Sequence, residues 1–303
     1  MSKNNRKGII LAGGKGTRLF PITKGISKQL MPIYDKPMIY YPLCTLMLAG
    51  IKEFLVITNP KDKKAFETLL EDGSKWGIKI SYQVQIKPDG IASALILGEE
   101  FLENSPSALI LGDNLFHGEN LINNLKIANQ NLDSSTVFAY AVSDPERYGV
   151  VNFDSNGKAL SIEEKPKKPK SRYAITGLYF FDKNGPKNAK TLRPSNRGEL
   201  EITDLTNLYL KKGKLKVAII GRGTTWLDTG TYDSLHQASS YIRTLEKRQG
   251  HKVCAPEEIS WRMGFINNSR FKKLAKSLQE SGYGQYLLGL LKEKYFFNDI
   301  EIN

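Results

Sequence analysis

The chain has 303 residues, 40% of them hydrophobic and 25% charged, and a formal net charge of +13; that length buries a substantial core, as one large α/β domain or one domain plus an appendage. No uninterrupted apolar span of about 20 residues occurs, and the polar start Met1–Lys7 runs straight into a strand pattern, so neither a membrane helix nor a signal peptide is indicated and a cytoplasmic protein is expected. The positive charge alone is compatible with nucleic acid, an anionic membrane or polyanionic small substrates. The densest basic cluster, Lys165–Arg172, is short, broken by prolines and free of the aromatics that stack on bases. Lys167 to Arg172 therefore reads as a solvated loop, and no nucleic-acid or membrane partner is expected.

Taken in order, apolar or β-branched runs at Gly8–Ala12, Phe54–Thr58, Ile78–Val84, Ala108–Leu111 and Val137–Val142 predict strands. Helical patterns lie between them at Met38–Ala49, Asp62–Glu71, Ile91–Leu102 and Leu121–Asn129. That alternation predicts βαβ crossovers on a mixed, mostly parallel sheet flanked by helices, with ligands beyond the carboxyl ends of the strands. After about Pro145 the strand candidates shorten, to Val150–Phe153, Ala159–Glu163, Ile175–Phe181 and Leu215–Ile220, with helices near Glu201–Lys211 and Tyr232–Arg248. These should extend the sheet and build a second wall of the cleft. Helices around Phe271–Glu280 and Tyr286–Tyr295 predict a C-terminal helical appendage, residues 251–303, suited to an oligomer contact, behind an α/β domain spanning 1–250. Cys44 and Cys254 sit in apolar surroundings without a partner motif and read as buried thiols.

The first predicted strand runs into a glycine turn, Leu11-Ala-Gly-Gly-Lys-Gly-Thr-Arg-Leu19, able to close backbone N–H groups around a phosphate. It fits neither common phosphate loop: Gly16 separates Lys15 from Thr17, where a Walker loop needs Gly-Lys followed directly by Ser or Thr, and Leu19 stands where the dinucleotide pattern needs its third glycine. Gly13, Gly14 and Gly16 lead to Thr17 and Arg18, and Lys28 follows ten residues later on the same irregular stretch; a guanidinium and an ammonium there would neutralise a triphosphate. Asp113 ends the apolar run Ser107–Leu111 after Gly112, and Asp228 lies in Trp226-Leu-Asp-Thr-Gly230 before a helix. A lone aspartate there would read as a turn or helix cap. Two of them, beside a phosphate loop, suggest a Mg²⁺ site shared with substrate phosphates. Only three histidines, His117, His236 and His251, occur, without metal or triad spacing.

Together these segments resemble the bacterial glucose-1-phosphate thymidylyltransferases of the sugar-nucleotidyltransferase superfamily, from Lys7 to about Leu291. The resemblance rests on Gly8–Leu19 (GIILAGGKGTRL), Ser27–Leu30 (SKQL), Tyr34–Pro42 (YDKPMIYYP), Pro88–Gly90, Leu111–Asn114 (LGDN), Asp144–Val150 (DPERYGV), Glu163–Pro166 (EEKP), Thr176–Tyr179 (TGLY), Arg197–Thr203 (RGELEIT) and Trp226–Gly230 (WLDTG), in that order. It implies a Rossmann-like nucleotidyltransferase fold, with nucleotide held by about 1–145 and sugar phosphate by about 146–250. The implied reaction joins dTTP and α-glucose 1-phosphate into dTDP-glucose and pyrophosphate with Mg²⁺, feeding dTDP-deoxysugar synthesis toward rhamnose or a similar sugar. Arg18, Lys28 and Lys165 are the implied catalytic cations, and Asp113 and Asp228 the implied metal ligands.

The resemblance also puts Leu11, Gly13, Gln29, Gln85, Pro88, Gly90 and Leu111 around the nucleotide, with Gln85 and Gly90 on the thymine edge. Tyr148, Gly149, Glu164, Lys165, Ile175, Tyr179, Arg197 and Trp226 surround the sugar phosphate, Lys165 and Arg197 on its phosphate and Glu164 on sugar hydroxyls. A homotetramer is implied, with feedback by a downstream deoxysugar nucleotide near Phe116, His117, Gly118, Gly221 and Arg222. Lys15, Ile86, Lys87 and Ser93 depart from the family's usual residues, three of them in the base-reading loop. A methyl-sized difference in an apolar pocket is worth only about 1–3 kcal/mol, so partial use of UTP is expected. Uridylyl transfer is the alternative within the class. A silent nucleotide-sugar sensor would lack at least one of Arg18, Asp113, Lys165 or Asp228, and all are present.

Overall fold

A computed structural model describes residues 6–292. Its strands are β1 (Lys7–Ala12), β2 (Pro32–Ile33), β3 (Lys36–Pro37), β4 (Glu53–Thr58), β5 (Lys79–Val84), β6 (Ser107–Leu111), β7 (Asn114–Gly118), β8 (Ser135–Ala141), β9 (Gly149–Phe153), β10 (Ala159–Glu164), β11 (Tyr173–Phe181), β12 (Leu215–Ile219) and β13 (Thr224–Asp228). Nine of them form one sheet in the order β10-β9-β11-β6-β1-β4-β5, with β8 beside β11 and β12 beside β8. Only β10 and β11 run against the rest, which follows from the parallel ladders β1/β4, β1/β6, β4/β5 and β8/β12 and the antiparallel ones around β11 and β9. The expected mixed, mostly parallel sheet is present.

Helices cover both faces, so the central strands are apolar on alternate sides without a polar face. Ile9 of β1 stands level with Leu55 and Leu109 and joins one core cluster; Ile10 stands level with Val56 and Ile110 and joins the other. The helix expected at Ile91–Leu102 is instead two short ones, Ser93–Leu97 and Glu99–Leu102. Gly98 divides them where the space for a Cβ is taken: such an atom would stand 2.8 Å from Ile9 Cδ1 and 3.1 Å from the Ala94 carbonyl oxygen.

Several features lay outside the sequence-based expectations, among them the short antiparallel β2/β3 pair and a helix at Gly185–Ala189. β7 and β13 pair antiparallel as a separate two-stranded sheet, Asp228 level with Asn114 and Trp226 with Phe116. An additional helix, Pro256–Arg262, precedes the expected tail helices, which occupy Asn268–Ser277 and Gly282–Leu290; the last of these ends two residues before Lys292, and the rest of the stretch expected to reach Tyr295 lies outside the described residues. The three tail helices share a small core of Ile266, Phe271, Ala275, Leu287 and Leu290. Buried Glu257 ties them to the α/β part, accepting from Trp76 Nε1 at 3.1 Å and Tyr283 Oη at 2.6 Å. Cys44 and Cys254 are free and buried, and burial pushes the Cys44 thiol well up. Among the described residues no helix is long and apolar enough to cross a membrane.

Candidate active site

At the carboxyl ends of β1 and β6 the chain turns through Gly13–Arg18 and through Gly112–Asp113, and both turns face one cleft of about 580 Å³. Gly16 adopts φ +61°, where a side chain is disfavoured, and a Cβ there would also meet Thr23 Cγ2 at 3.1 Å. Thr23 Oγ1 donates to the Gly16 carbonyl oxygen at 2.7 Å, fixing the turn that presents Arg18. At Gly13 a Cβ would stand 2.8 Å from Gln85 Oε1, so the missing side chain lets the glycine turn and the β5 exit lie against each other.

The two aspartates are brought together by the β7/β13 pairing, because Asp113 immediately precedes Asn114 and Asn114 stands level with Asp228. Thr229 reinforces this: its N–H and hydroxyl both donate to the Asp113 carbonyl oxygen, at 3.2 and 2.8 Å. Lys28, 6% exposed, pairs through Nζ with Asp113 Oδ2, while Asn114 Nδ2 donates to Asp113 Oδ1 at 3.1 Å. Burial raises the Asp113 pKa, but the Lys28 charge and the hydrogen bonds from Lys28 and Asn114 more than offset it, so the carboxyl lies below the ordinary carboxylate range. Burial, and then the Asp113 charge, push Asp228 above that range against the pull of Lys28, Arg18 and Arg147. Such a pair of carboxylates, with opposed shifts in a shared field, is suited to a cation.

Arg18 reaches the same point. The position a Cβ on Gly230 would occupy is 3.1 Å from Asp228 Oδ1 and 3.2 Å from both Arg18 Nη atoms. Arg147 Nη2 lies 3.7 Å from Asp228 Oδ2, held by a 2.6 Å bond from Nη1 to Asp144 and by its seat 5.3 Å over the Tyr148 ring. Tyr148 in turn meets Trp226 edge-on at 5.1 Å.

The opposite wall comes from β9, β10, β11 and the helix Ile202–Lys211. Glu164 Oε2 accepts from Thr203 Oγ1, and its Oε1 accepts from Arg197 Nη2 at 3.3 Å. Lys165 leaves β10 at φ +43°, a strained setting for a non-glycine residue, with its N–H on the Tyr148 carbonyl oxygen at 3.0 Å. Its exposed ammonium stays near Glu164, at 3.8 Å. Ile175 and Tyr179 form the floor, both buried, and burial then the Glu164 charge push the Tyr179 hydroxyl pKa up.

The cleft thus gathers Arg18, Leu111, Asp113, Tyr148, Gly149, Glu164, Lys165, Ile175, Tyr179, Trp226 and Asp228. Arg197 does not line it. Its guanidinium lies just outside, forked on Glu201 with bonds of 3.2 Å from Nε and 2.8 Å from Nη2. Leu11, Gly13, Gly14, Gly16, Thr17 and Gln29 lie on the glycine-turn side, Gln29 buried with its Oε1 accepting from Ser27 at 2.9 Å. Gln85 lies in a second depression with Ile86, Lys87 and Asp89. There Gln85 Nε2 donates to Ser93 Oγ at 2.9 Å, and Ser93 donates to the Gly90 carbonyl oxygen at 2.6 Å. Gly90 takes φ +99° so close to Leu200 that a Cβ would be 2.4 Å from its carbonyl oxygen; Pro88 is exposed on the same loop.

Of the residues expected at a feedback site, Phe116 is buried in the core at 1% exposure and offers no side chain to the surface of this subunit. His117 is half-buried, edge-on to Tyr241 at 6.3 Å, and burial lowers its pKa. Gly118, at φ +139°, would press a Cβ within 2.2 Å of the Gly223 carbonyl oxygen, a requirement of the β7/β13 pairing itself. Gly221 and Arg222 are exposed.

Two residues gain importance from the structure. Asn114, 3% exposed, accepts from Gly177 N–H at 3.0 Å and Trp226 Nε1 at 2.6 Å while donating to Asp113. Arg147 adds a cation beside Asp228. Both sit inside the motifs LGDN and DPERYGV, but nothing in one sequence separates them from their neighbours.

The family model described as nucleotidyl transferase matches residues 7–244. A glucose-1-phosphate thymidylyltransferase of Neisseria meningitidis is 56% identical over 95% of this chain and 100% of its own length. One of Mycobacterium tuberculosis is 53% identical over 94% and 99%. Among solved structures, a Bacillus anthracis protein described as a glucose-1-phosphate thymidylyltransferase, in complex with sucrose, matches with TM-score 0.73 and 42% identity over 78% of this chain and 95% of that one. A UDP-glucose pyrophosphorylase complexed with UDP-glucose matches with TM-score 0.69 and 25% identity over 79% and 99%. The chain belongs to the nucleotidyl transferase family and, within it, to the glucose-1-phosphate thymidylyltransferases.

Proposed function

We propose that this enzyme transfers a thymidylyl group from dTTP to α-glucose 1-phosphate, releasing pyrophosphate, as the entry step to dTDP-deoxysugars such as dTDP-rhamnose. The observation that carries the reading is the meeting of Asp113 and Asp228 across β7 and β13 with Lys28 and Arg18 beside them at the mouth of the sheet. A phosphomonoester has its second pKa at about 6, so near neutrality the sugar phosphate is already a nucleophile and needs no general base. Its oxygen forms a bond to the α-phosphorus as the bond from that phosphorus to the β-phosphate oxygen breaks. Repulsion between two polyanions is then the obstacle, and fixed charge is the remedy.

Each group has its work in that scheme. Backbone N–H groups of the glycine turn, Arg18 and Lys28 bind the triphosphate and draw charge onto the departing pyrophosphate. Lys165 and Arg147 meet the incoming phosphate, and Arg197 reaches it by turning from its fork on Glu201. Glu164, steadied by Thr203, accepts from sugar hydroxyls, and Trp226 with Tyr148 shields the sugar face. The donor set fits Mg²⁺: Asp113 and Asp228 are hard oxygen ligands that need phosphate oxygens to complete a shell. Bound there, Mg²⁺ would neutralise charge on the phosphates. Gln85, braced by Ser93, would read the base. By the same resemblance the enzyme assembles as a homotetramer with feedback involving Arg222.

Following pyrophosphate release with glucose 1-phosphate, Mg²⁺ and each nucleoside triphosphate tests the reading. The dTTP rate should exceed the UTP rate, and Asp113→Asn and Asp228→Asn should each lower turnover by on the order of 10² or more while leaving the protein folded. A higher UTP rate would make the enzyme a uridylyltransferase. Near-normal turnover in either variant would remove the shared metal site.

A further inference from the structure

Lys28 stands out because it is both buried and committed. It is 6% exposed, and its Nζ rests on Asp113 Oδ2, one of the two carboxylates that suit a divalent cation. Asn114 Nδ2 occupies the other oxygen of Asp113 at 3.1 Å. Asp228, by contrast, has only Arg147 Nη2 at 3.7 Å as a direct ion-pair partner among the described residues. Those residues include no cluster of three or more His, Cys, Asp or Glu side chains placed to hold a metal, so the protein's own contribution is this pair of carboxylates. An ammonium and a divalent cation cannot both sit on Asp113 Oδ2 without strong repulsion.

We propose that Lys28 is a placeholder for the metal: in the nucleotide-free enzyme it closes the cation site, and the triphosphate opens the site by drawing the Lys28 ammonium onto itself. The idea rests on the nucleotidyl-transfer reading above and deepens it. A buried lysine that leaves a carboxylate without a substitute anion would strand its charge, so Lys28 leaves only when a phosphate accepts it. The same exchange frees Asp113 as the phosphates arrive to complete the cation's shell. Divalent ion and nucleotide therefore enter together, and the resting enzyme holds neither cation nor an uncompensated pair of acids.

Mn²⁺ alone, without nucleotide, is the probe, titrated into the full-length protein with free Mn²⁺ read by electron paramagnetic resonance. Lys28→Gln should bind Mn²⁺ at least tenfold more tightly than the parent protein. Lys28→Arg should match the parent, and Lys28→Gln combined with Asp113→Asn should lose the gain. Mn²⁺ should also raise the melting temperature of Lys28→Gln and leave that of the parent unchanged. A folded Lys28→Gln variant that binds Mn²⁺ no better than the parent overturns the proposal. Should Lys28→Gln fail to fold, the parent decides the matter against Asp113→Asn: equal, weak Mn²⁺ binding by both supports the placeholder, and tenfold tighter binding by the parent refutes it. These readings need no turnover, so failure here with pyrophosphate release intact leaves the transferase reading standing.

Discussion

Asn114→Ala is the sharpest test of how the site is held. Asn114 is buried, and its amide joins three elements: Oδ1 takes Gly177 N–H of β11 at 3.0 Å and Trp226 Nε1 of β13 at 2.6 Å, and Nδ2 holds Asp113 at 3.1 Å. Truncation leaves two buried donors without partners, at about 1–3 kcal/mol each, so a loss of about 2–6 kcal/mol in unfolding free energy follows. Asn114→Asp separates packing from charge. It keeps an acceptor for both donors but faces Asp113 with a like charge, worth about 5 kcal/mol at 3.1 Å with an effective dielectric constant of about 20. That variant should take up a proton near neutral pH and retain more stability than Asn114→Ala, while losing turnover through the displaced Asp113. Urea unfolding and initial rates of pyrophosphate release check both. A loss below about 1 kcal/mol in Asn114→Ala would show that the three-way bridge is not what fixes the two aspartates.

Three other perturbations read separate parts of the account. Gly230→Ala puts a methyl 3.1 Å from Asp228 Oδ1 and 3.2 Å from the Arg18 guanidinium, and should reduce turnover about tenfold or more with little change in melting temperature; wild-type kinetics would place Arg18 elsewhere. Ser93→Ala removes the 2.9 Å brace on Gln85 and should bring the dTTP and UTP kcat/KM values closer by a few fold; an unchanged ratio would take Gln85 out of base reading. Asp35 binds Lys36 and Lys252; burial raises its pKa, but these partners outweigh burial and hold it below the ordinary value. A depressed carboxyl stabilises above its unfolded pKa and loses that contribution as pH falls through its folded pKa, so Asp35→Asn should destabilise the protein at pH 7, with the gap to the parent beginning to narrow only below about pH 4 and closing below the depressed folded pKa. A constant gap in chemical-denaturation midpoints down to pH 3 would refute this.

Much of the fold was legible because its signals are local. The apolar runs of β1, β4 and β6 and the helix patterns between them fix a parallel core, and Gly13–Arg18 announces a phosphate turn by composition. β7 and β13 were not legible as a pair: they are short, carry Asn, His, Thr and Trp rather than a clean alternation, and meet across more than a hundred residues. That pairing places Asp228 beside Asn114, so the two aspartates could be nominated from their strand-end settings but not seen to converge. The break at Gly98 depends on Ile9, a contact no local window contains. Lys28, expected as a cation for the triphosphate, is paired with Asp113 here, a contact across 85 residues that no local stretch of sequence shows. Arg197 was expected on the sugar phosphate and is held back by Glu201, a carboxylate that the motif RGELEIT contains without revealing its role.

The chemistry at the centre of the account is attack by the sugar-phosphate oxygen on the α-phosphorus, and an isotope answers it directly. With glucose 1-phosphate carrying ¹⁸O in its phosphate, dTTP and Mg²⁺, ³¹P NMR of the products should show all the label in the sugar nucleotide, including the oxygen bridging its two phosphorus atoms, and none in pyrophosphate. Label in pyrophosphate, or no sugar nucleotide formed, would contradict the account.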